Sequence, residues 1–221
     1  MKRFQLFFLL VGLLPLFTVS QASHQLGFLP SVNLNEKLPK DWSLNFKAES
    51  RQSLYRGGID YEYLLTDVAL LAEKKIGVNT SAAGGYLLRI YADGVRHRAI
   101  QQISIVKGYT GFRLSHRVSA DQTFEKDDAP EYRLRYRLSS EVPLQGLSLD
   151  PKEFFLKLSN EYLGSMQRDD YDLEIRATAF IGYALSPKQK LELGLDYRVD
   201  SFIHGQARNR YWIGLNFYQS F

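Results

Sequence analysis

Apolar and polar residues alternate with a period of two along most of the chain from Trp42 onward. The clearest stretch is 172–185, where the odd-numbered positions are apolar or aromatic and the even-numbered ones include Asp172, Glu174 and Arg176. Successive side chains of a β-strand point to opposite faces of a sheet, so this period predicts strands with one apolar and one polar face. The other stretches with the same alternation are 42–55, 131–139, 190–200 and 210–221.

Five further segments are also predicted to be strands, although their alternation is less regular. Residues 62–74 could instead form a helix, because Leu64, Val68 and Leu71 would share one helical face; we predict a strand. The alternation breaks around Ile100, which predicts a β-bulge there. The five segments are 59–72, 80–91, 95–107, 111–124 and 152–166.

Residues typical of turns, such as Arg56-Gly57-Gly58, separate these segments. A series of hairpins with long strands predicts an all-β fold, an antiparallel up-and-down transmembrane β-barrel. Ten segments lie in residues 42–221, and residues 23–41 could supply another. Single-chain bacterial barrels have an even number of strands. We therefore predict ten strands, with twelve as the alternative and with 23–41 as an N-terminal extension or extra strand.

Alternation alone does not say which face of the barrel points outward. The strands are longer than the ~5–6 residues usual in globular proteins, and Tyr and Phe cluster near their ends, as in the aromatic girdles of membrane barrels. The chain also ends on an aromatic residue, Phe221, after an alternating strand. These features favour a barrel of the bacterial outer membrane. The alternative is a periplasmic barrel of lipocalin type that binds an apolar ligand.

The N-terminal segment has the order of a secretory signal peptide. Lys2 and Arg3 precede an apolar run at 7–16, and Ser20-Gln21-Ala22 is a small-x-small cleavage site. The run is about half as long as the ~20 residues of a spanning helix, so a membrane anchor is the weaker interpretation. We predict cleavage after Ala22, which divides the chain into a signal peptide (1–22), the segment 23–41 and the barrel (42–221).

Composition excludes several classes of site. The chain contains no cysteine, which excludes disulfides, thiol catalysis and lipid attachment to a cysteine. Without Lys2 and Arg3 the formal net charge falls from +4 to +2, and so balanced a chain offers no case for nucleic acid. No His, Asp or Gly-rich spacing matches a metal or phosphate motif. We expect no cofactor and no metal.

The C-terminal strand resembles the signal by which outer-membrane barrels are recognised for assembly. Gln219 departs from that signal, which usually has an apolar or aromatic residue at this position. The resemblance implies that the barrel-assembly machinery is a partner, together with outer-membrane lipid. The residues that carry the signal are Tyr211, Ile213, Leu215, Phe217 and Phe221.

An ordered series of short motifs resembles a family of outer-membrane barrels, domain-of-unknown-function family 2490. The resemblance implies a barrel and an outer-membrane location but no established activity, so it assigns no functional residue. The motifs are Trp42-x-Leu44, Glu49-x-Arg51, Arg98, Gln101-Gln102, Arg113, Arg117, the run 132–138, Asn160-Glu161 and Gly182-Tyr183.

The polar face is rich in arginine and carboxylates, which a membrane barrel would turn into its lumen. In a narrow barrel, paired Arg and carboxylate groups are expected to fill the space; an anion-selective path is the alternative. The predicted network is Glu49, Arg51, Arg113, Arg117, Arg133, Arg135, Arg137, Glu161, Glu174, Arg176, Glu192, Asp196 and Arg198, joined by Glu62, Arg89, Arg98, Asp121 and Arg210.

Catalysis has little support in the sequence. Ser115 and His116 are neighbours on a strand and therefore point to opposite faces. We expect no enzyme, with an outer-membrane lipid or peptide hydrolase as a lesser alternative. The leading hypothesis is a small, largely closed outer-membrane barrel with a structural, binding or envelope-assembly role, in which an unidentified envelope protein is a candidate partner. A narrow anion-preferring pore or transporter is the main alternative.

Overall fold

A computed structural model describes residues 23–126 and 128–221. The predicted signal peptide, residues 1–22, lies outside the described residues, as does Asp127. The described chain forms eleven strands and one short 3₁₀-helix, Phe202–His204. The strands are β1 (Ser23–Leu38), β2 (Trp42–Tyr55), β3 (Ile59–Lys75), β4 (Thr80–Ile90), β5 (Val95–Tyr109), β6 (Phe112–Phe124), β7 (Glu131–Pro143), β8 (Phe154–Gln167), β9 (Asp170–Ser186), β10 (Gln189–Asp200) and β11 (Arg208–Ser220).

The strands close into one barrel, which confirms the predicted all-β fold. Consecutive strands pair antiparallel, whereas β1 pairs with β11 in parallel, from Ser23 beside Arg208 to Asn35 beside Ser220. The predicted count of ten strands is wrong, and so is the alternative of twelve. Residues 23–38 form a full strand of the barrel wall. An odd number of strands makes the first and last run in the same direction, so the barrel can close only through a parallel pair.

Two local predictions have opposite outcomes. The segment 62–74 lies within β3 and is a strand, as predicted. The bulge predicted near Ile100 is wrong, because β5 pairs in unbroken register with both β4 and β6. The irregularities lie instead between β2 and β3, between β1 and β2 at Leu26/Gly27, and between β9 and β10 at Gln189/Lys190. No helix among the described residues is long and apolar enough to cross a membrane.

The two faces of the barrel wall have opposite polarity. The interior buries ionisable side chains, such as Asp121 at 1% and Arg198 at 3% exposure. The exterior carries apolar side chains that are half exposed or more, among them Leu134, Ile181 and Leu193. The predicted alternation is therefore present, with the polar face inside.

Because the number of strands is odd, the first and last residues of the described chain lie at opposite ends of the barrel. Ser23 lies at one end, beside the start of β11, and Phe221 lies at the other. The Ser23 end carries the connections around residues 56–58, 91–94, 125–130, 168–169 and 201–207. The Phe221 end carries those around residues 39–41, 76–79, 110–111, 144–153 and 187–188.

Candidate functional site

The strand register places the predicted charge network on the interior face of the barrel. Asp121 is opposite Ile100 and Arg133, and both neighbours are on the inward side of their strands. Because the wall alternates strictly there, the inward side continues through every second residue. The inward set is Glu49, Arg51, Arg113, Arg117, Arg133, Arg135, Arg137, Glu161, Glu174, Arg176, Glu192, Asp196 and Arg198.

Buried carboxylates in the middle of the lumen and in the half nearer Ser23 each bind more than one arginine. Asp121 Oδ2 and Oδ1 accept hydrogen bonds from Arg133 (2.9 Å) and Arg135 (2.8 Å). Glu161 lies 2.7 Å from Arg137 and 3.1 Å from Arg176. These side chains come from β6, β7, β8 and β9, so the ion pairs tie neighbouring strands together.

Three carboxylates of the lumen, Asp67, Asp200 and Glu141, were not predicted from the sequence. Asp67 accepts two hydrogen bonds of 2.7 Å from Arg89 and one of 3.3 Å from Arg51. Asp200 accepts hydrogen bonds from Arg208 at 2.7 Å and from Arg210. Asp67 lies in a segment where apolar residues obscure the period of two, and Asp200 is the last residue of β10.

Glu62 does not belong to the buried network, which corrects its predicted place in the lumen. Its side chain is 53% exposed and lies 3.6 Å from Arg56. Glu62 pairs with Ser53 between the register shifts at Arg51/Gln52 and Ser53/Tyr55, in the part of β3 (residues 59–63) whose residues are all exposed.

Two large aromatic side chains are buried inside the barrel. Trp212 is 1% exposed and Phe155 is fully buried. Each is accommodated by an inward glycine on a neighbouring strand. A Cβ at Gly27 would lie 2.6 Å from the Trp212 ring, and a Cβ at Gly182 would lie 2.1 Å from the Phe155 ring. Because glycine has no side chain, Gly27 and Gly182 leave the space that the two rings occupy.

The half of the lumen nearer Phe221 is crossed by lysine–carboxylate contacts. Lys157 Nζ on β8 lies 2.8 Å from Glu192 on β10 and donates to Tyr218 on β11 at 3.2 Å. Lys190 on β10 reaches across to Glu141 on β7 at 3.1 Å, and Arg113 binds the same carboxylate at 2.9 Å. The contacts of Lys157 and Lys190 join strands that are not neighbours in the wall, so they bridge the lumen, whereas Arg113 and Glu141 are directly opposite on neighbouring strands.

Two interior arginines form no ion pair with any described residue. Arg98 is 6% exposed, and its Nε donates to Thr123 Oγ1 at 2.9 Å. Arg117 Nε donates to Ser104 Oγ at 3.3 Å. Arg117 lies directly opposite Arg137 in the register of β6 and β7. Like charges in directly opposite positions repel each other. Arg117 therefore differs from the neighbouring arginines, whose charges are compensated by bound carboxylates.

The residues considered for catalysis are not assembled into a site. His116 lies on the exterior face, where its Nδ1 is 2.9 Å from the Tyr136 hydroxyl, while Ser115 faces inward. His204 Nε2 is 2.9 Å from the carbonyl oxygen of Tyr171. Within residues 23–126 and 128–221, no group of three or more His, Cys, Asp or Glu side chains is placed to hold a metal ion.

The residues of the C-terminal signal lie on the outer face of β11, opposite the inward Trp212. Phe221 follows the strand, is 57% exposed and donates its backbone N–H to the carbonyl oxygen of Asn35 at 2.9 Å. The end of the chain is therefore tied to β1. The outward residues of the signal within the strand are Tyr211, Ile213, Leu215 and Phe217.

Comparison with known proteins gives one match. No curated protein and no solved structure matches the chain. The sequence model of a family described as "Protein of unknown function (DUF2490)" matches residues 26–217, which include nearly the whole barrel wall. The chain belongs to this family of proteins of unknown function.

Proposed function

We propose that the protein is a β-barrel of the bacterial outer membrane whose lumen is closed by its own side chains. The observation that carries this proposal is the exterior of the wall. A central band of apolar side chains surrounds the barrel, and every member is close to half exposed or more. The band includes Leu70, Ile103, Val118, Leu134, Ile181, Leu193 and Leu215.

Aromatic side chains border this band at both ends of the barrel. Rings near the Ser23 end are Tyr55, Tyr63, Phe124, Tyr132 and Tyr171, and rings near the Phe221 end are Trp42, Tyr109, Phe154 and Phe221. Within the described strands, the outward Asp, Glu, Lys and Arg positions are Glu36, Lys74 and Lys107, which all lie near the Phe221 end; the central outward positions carry none. An apolar band of this kind between aromatic girdles is the pattern of a lipid-facing surface.

The polarity of the interior argues against a water-soluble barrel that binds an apolar ligand. Such a barrel would need an apolar lumen, whereas this one buries Glu49, Asp121, Glu161 and Arg198. Exposing the exterior band to water would also leave an apolar patch far larger than monomeric soluble proteins tolerate. The polarity of both faces is explained if lipid surrounds the barrel wall.

A structural, binding or envelope-assembly role fits the lumen better than conduction does. Trp212 and Phe155 are buried inside it, and the Lys190–Glu141 and Lys157–Glu192 contacts bridge it. A closed lumen leaves a planar bilayer electrically silent. An anion-preferring pore would instead give steady anion-selective openings that change when Arg135 is replaced by Glu.

The test of membrane insertion is a charge placed in the apolar band. Leu193 is 58% exposed and has Ile181 and Leu215 beside it on the neighbouring strands. In a bilayer, Leu193→Arg should cost about 2–4 kcal/mol in the unfolding free energy, measured by urea titration of the barrel refolded in vesicles. Leu144→Arg is the matched control, because Leu144 lies in the β7–β8 connection outside the band.

The wild-type protein should float with the vesicles and migrate differently on a gel before and after boiling. Release of the wild-type chain by osmotic shock as a water-soluble protein would contradict the proposal. Equal stability of Leu193→Arg and Leu144→Arg in vesicles would contradict it as well.

A further inference from the structure

The half of the lumen nearer Phe221 is lined by cations that are more exposed than the carboxylates they pair with. We call this region the basic vestibule. Lys47 is 40% exposed against 10% for Glu49, and Arg137 is 36% exposed against 4% for Glu161. The pairs Arg113–Glu141 and Lys157–Glu192 follow the same rule. The surface presented to the vestibule is therefore positive. Its cations are Lys47, Arg113, Arg117, Arg137, Lys157 and Lys190.

Arg117 lacks the compensation that the other cations of the vestibule have. Within the described chain its side chain bonds only to the Ser104 hydroxyl, and it faces Arg137 across the β6–β7 pair. Arg176 and Arg198 are also directly opposite, but each has its own carboxylate, since Glu174 and Asp196 bind them at 2.7 and 2.8 Å. In the Arg117–Arg137 pair, Glu161 binds Arg137 at 2.7 Å, whereas no carboxylate of the described chain forms an ion pair with Arg117.

We propose that the basic vestibule binds a phosphate-type oxyanion, with Arg117 and Arg137 as its main ligands. Guanidinium groups offer forked N–H donors that match phosphate oxygens and form strong charge-assisted hydrogen bonds. The cations converge from β2, β6, β7, β8 and β10. Donors that approach from several directions suit a tetrahedral, multiply charged anion better than a planar carboxylate.

The proposed site is open at one end only and is not part of a channel through the barrel. Toward the Ser23 end, Trp212 and the buried network of Asp121 and Glu161 close the lumen. A bound anion would therefore enter and leave through the Phe221 end. This inference concerns the interior alone, so it can succeed or fail whichever medium surrounds the exterior wall.

The experiment measures the thermal unfolding midpoint of the refolded full-length barrel in detergent, with inorganic phosphate added at constant ionic strength set by chloride. Wild-type protein should gain stability with phosphate, as binding to the folded state requires. Arg117→Gln should weaken the apparent phosphate affinity by at least ~10-fold, which corresponds to about 1.4 kcal/mol. Arg56→Gln removes an equal charge at the Ser23 end, 60% exposed, and should leave the phosphate effect unchanged.

A second variant and a second readout guard against a purely structural effect. Lys47→Gln leaves Glu49 bound to Arg51 at 2.9 Å, so the fold keeps its pair while the vestibule loses a cation and affinity falls. Without phosphate, Arg117→Gln should be at least as stable as wild type, because it removes repulsion from Arg137. If Arg117 served only to stabilise the fold, Arg117→Gln would be less stable than the wild type without phosphate.

The phosphate group could be free or carried by a lipid. Glycerol phosphate that stabilises the wild type through Arg117 would identify a soluble phosphate or phosphate ester. Stabilisation by phosphatidylglycerol micelles alone, again dependent on Arg117, would identify a lipid headgroup. The proposal is overturned if none of these probes stabilises the wild type beyond chloride, or if Arg117→Gln responds as the wild type does.

Discussion

At the scale of single residues, the lumen is governed by how many partners each buried charge has. Asp121 has no exposed side-chain surface and serves both Arg133 and Arg135. Burying an ion is costly unless partners compensate for the lost water. The lumen is therefore stabilised less by the number of its ion pairs than by leaving few charges without a partner. Arg98 and Arg117 are the exceptions, and Arg117, which is directly opposite Arg137, suggests a ligand.

Loss of the Asp121 charge should be among the most damaging single changes in the lumen. Asp121→Asn leaves Arg133 and Arg135, 9% and 19% exposed, facing an uncharged amide. Breaking a buried ion pair by removing one partner costs about 3–5 kcal/mol, which urea unfolding of the refolded barrel would measure. Asp128→Asn is the control: its partner Arg168 is 69% exposed, so the loss should stay below ~1 kcal/mol. Similar losses in the two variants would contradict this account of the lumen.

At the scale of the strands, the lumen is packed by pairing large rings with glycines on the next strand. Phe155 of β8 lies opposite Gly182 of β9. A Cβ at Gly182 would come within 2.1–2.5 Å of three atoms of that ring and meets only side-chain atoms at this distance. The conflict is therefore between two side chains, so shortening one of them should relieve it.

A double-mutant cycle tests this packing. Gly182→Ala should cost about 1–3 kcal/mol through overpacking, measured by urea unfolding. In Phe155→Leu the same alanine should cost clearly less, which gives a favourable coupling energy. Gly108→Ala on β5 is the control, since a Cβ there meets nothing within 4 Å. Additive effects of the two changes would show that Gly182 has another role.

The strands also show what the sequence could and could not predict. The period of two predicted the faces of Glu174, Arg176 and Arg198 because alternation is a local property of a strand. It failed at Glu62, which lies in the exposed end of β3, because alternation predicts the face of a side chain but not where the buried part of a strand ends. Which arginine meets which carboxylate depends on the register between strands, so the pairing at Asp121 could not be predicted either.

At the scale of the whole molecule, the predicted number of strands was derived from the even count of single-chain bacterial barrels and not from the alternation in the sequence. Residues 23–38 could have been an extension or a strand, and the expectation of an even count favoured the extension. In the structure β1 closes the barrel in parallel with β11, which places Ser23 and Phe221 at opposite ends. Closure is a global property, and only the complete set of pairings reveals it.

The most direct test of the central claim, an outer wall in lipid around a closed polar lumen, uses the two tryptophans of the chain. Trp42 is 41% exposed on the outer face, and Trp212 is 1% exposed inside. Two single-tryptophan variants, Trp212→Phe and Trp42→Phe, are refolded in vesicles whose lipids carry bromine on the acyl chains near the headgroups. The account predicts strong quenching of Trp42 fluorescence and little quenching of Trp212. Equal quenching of both, or no quenching of Trp42, would contradict it.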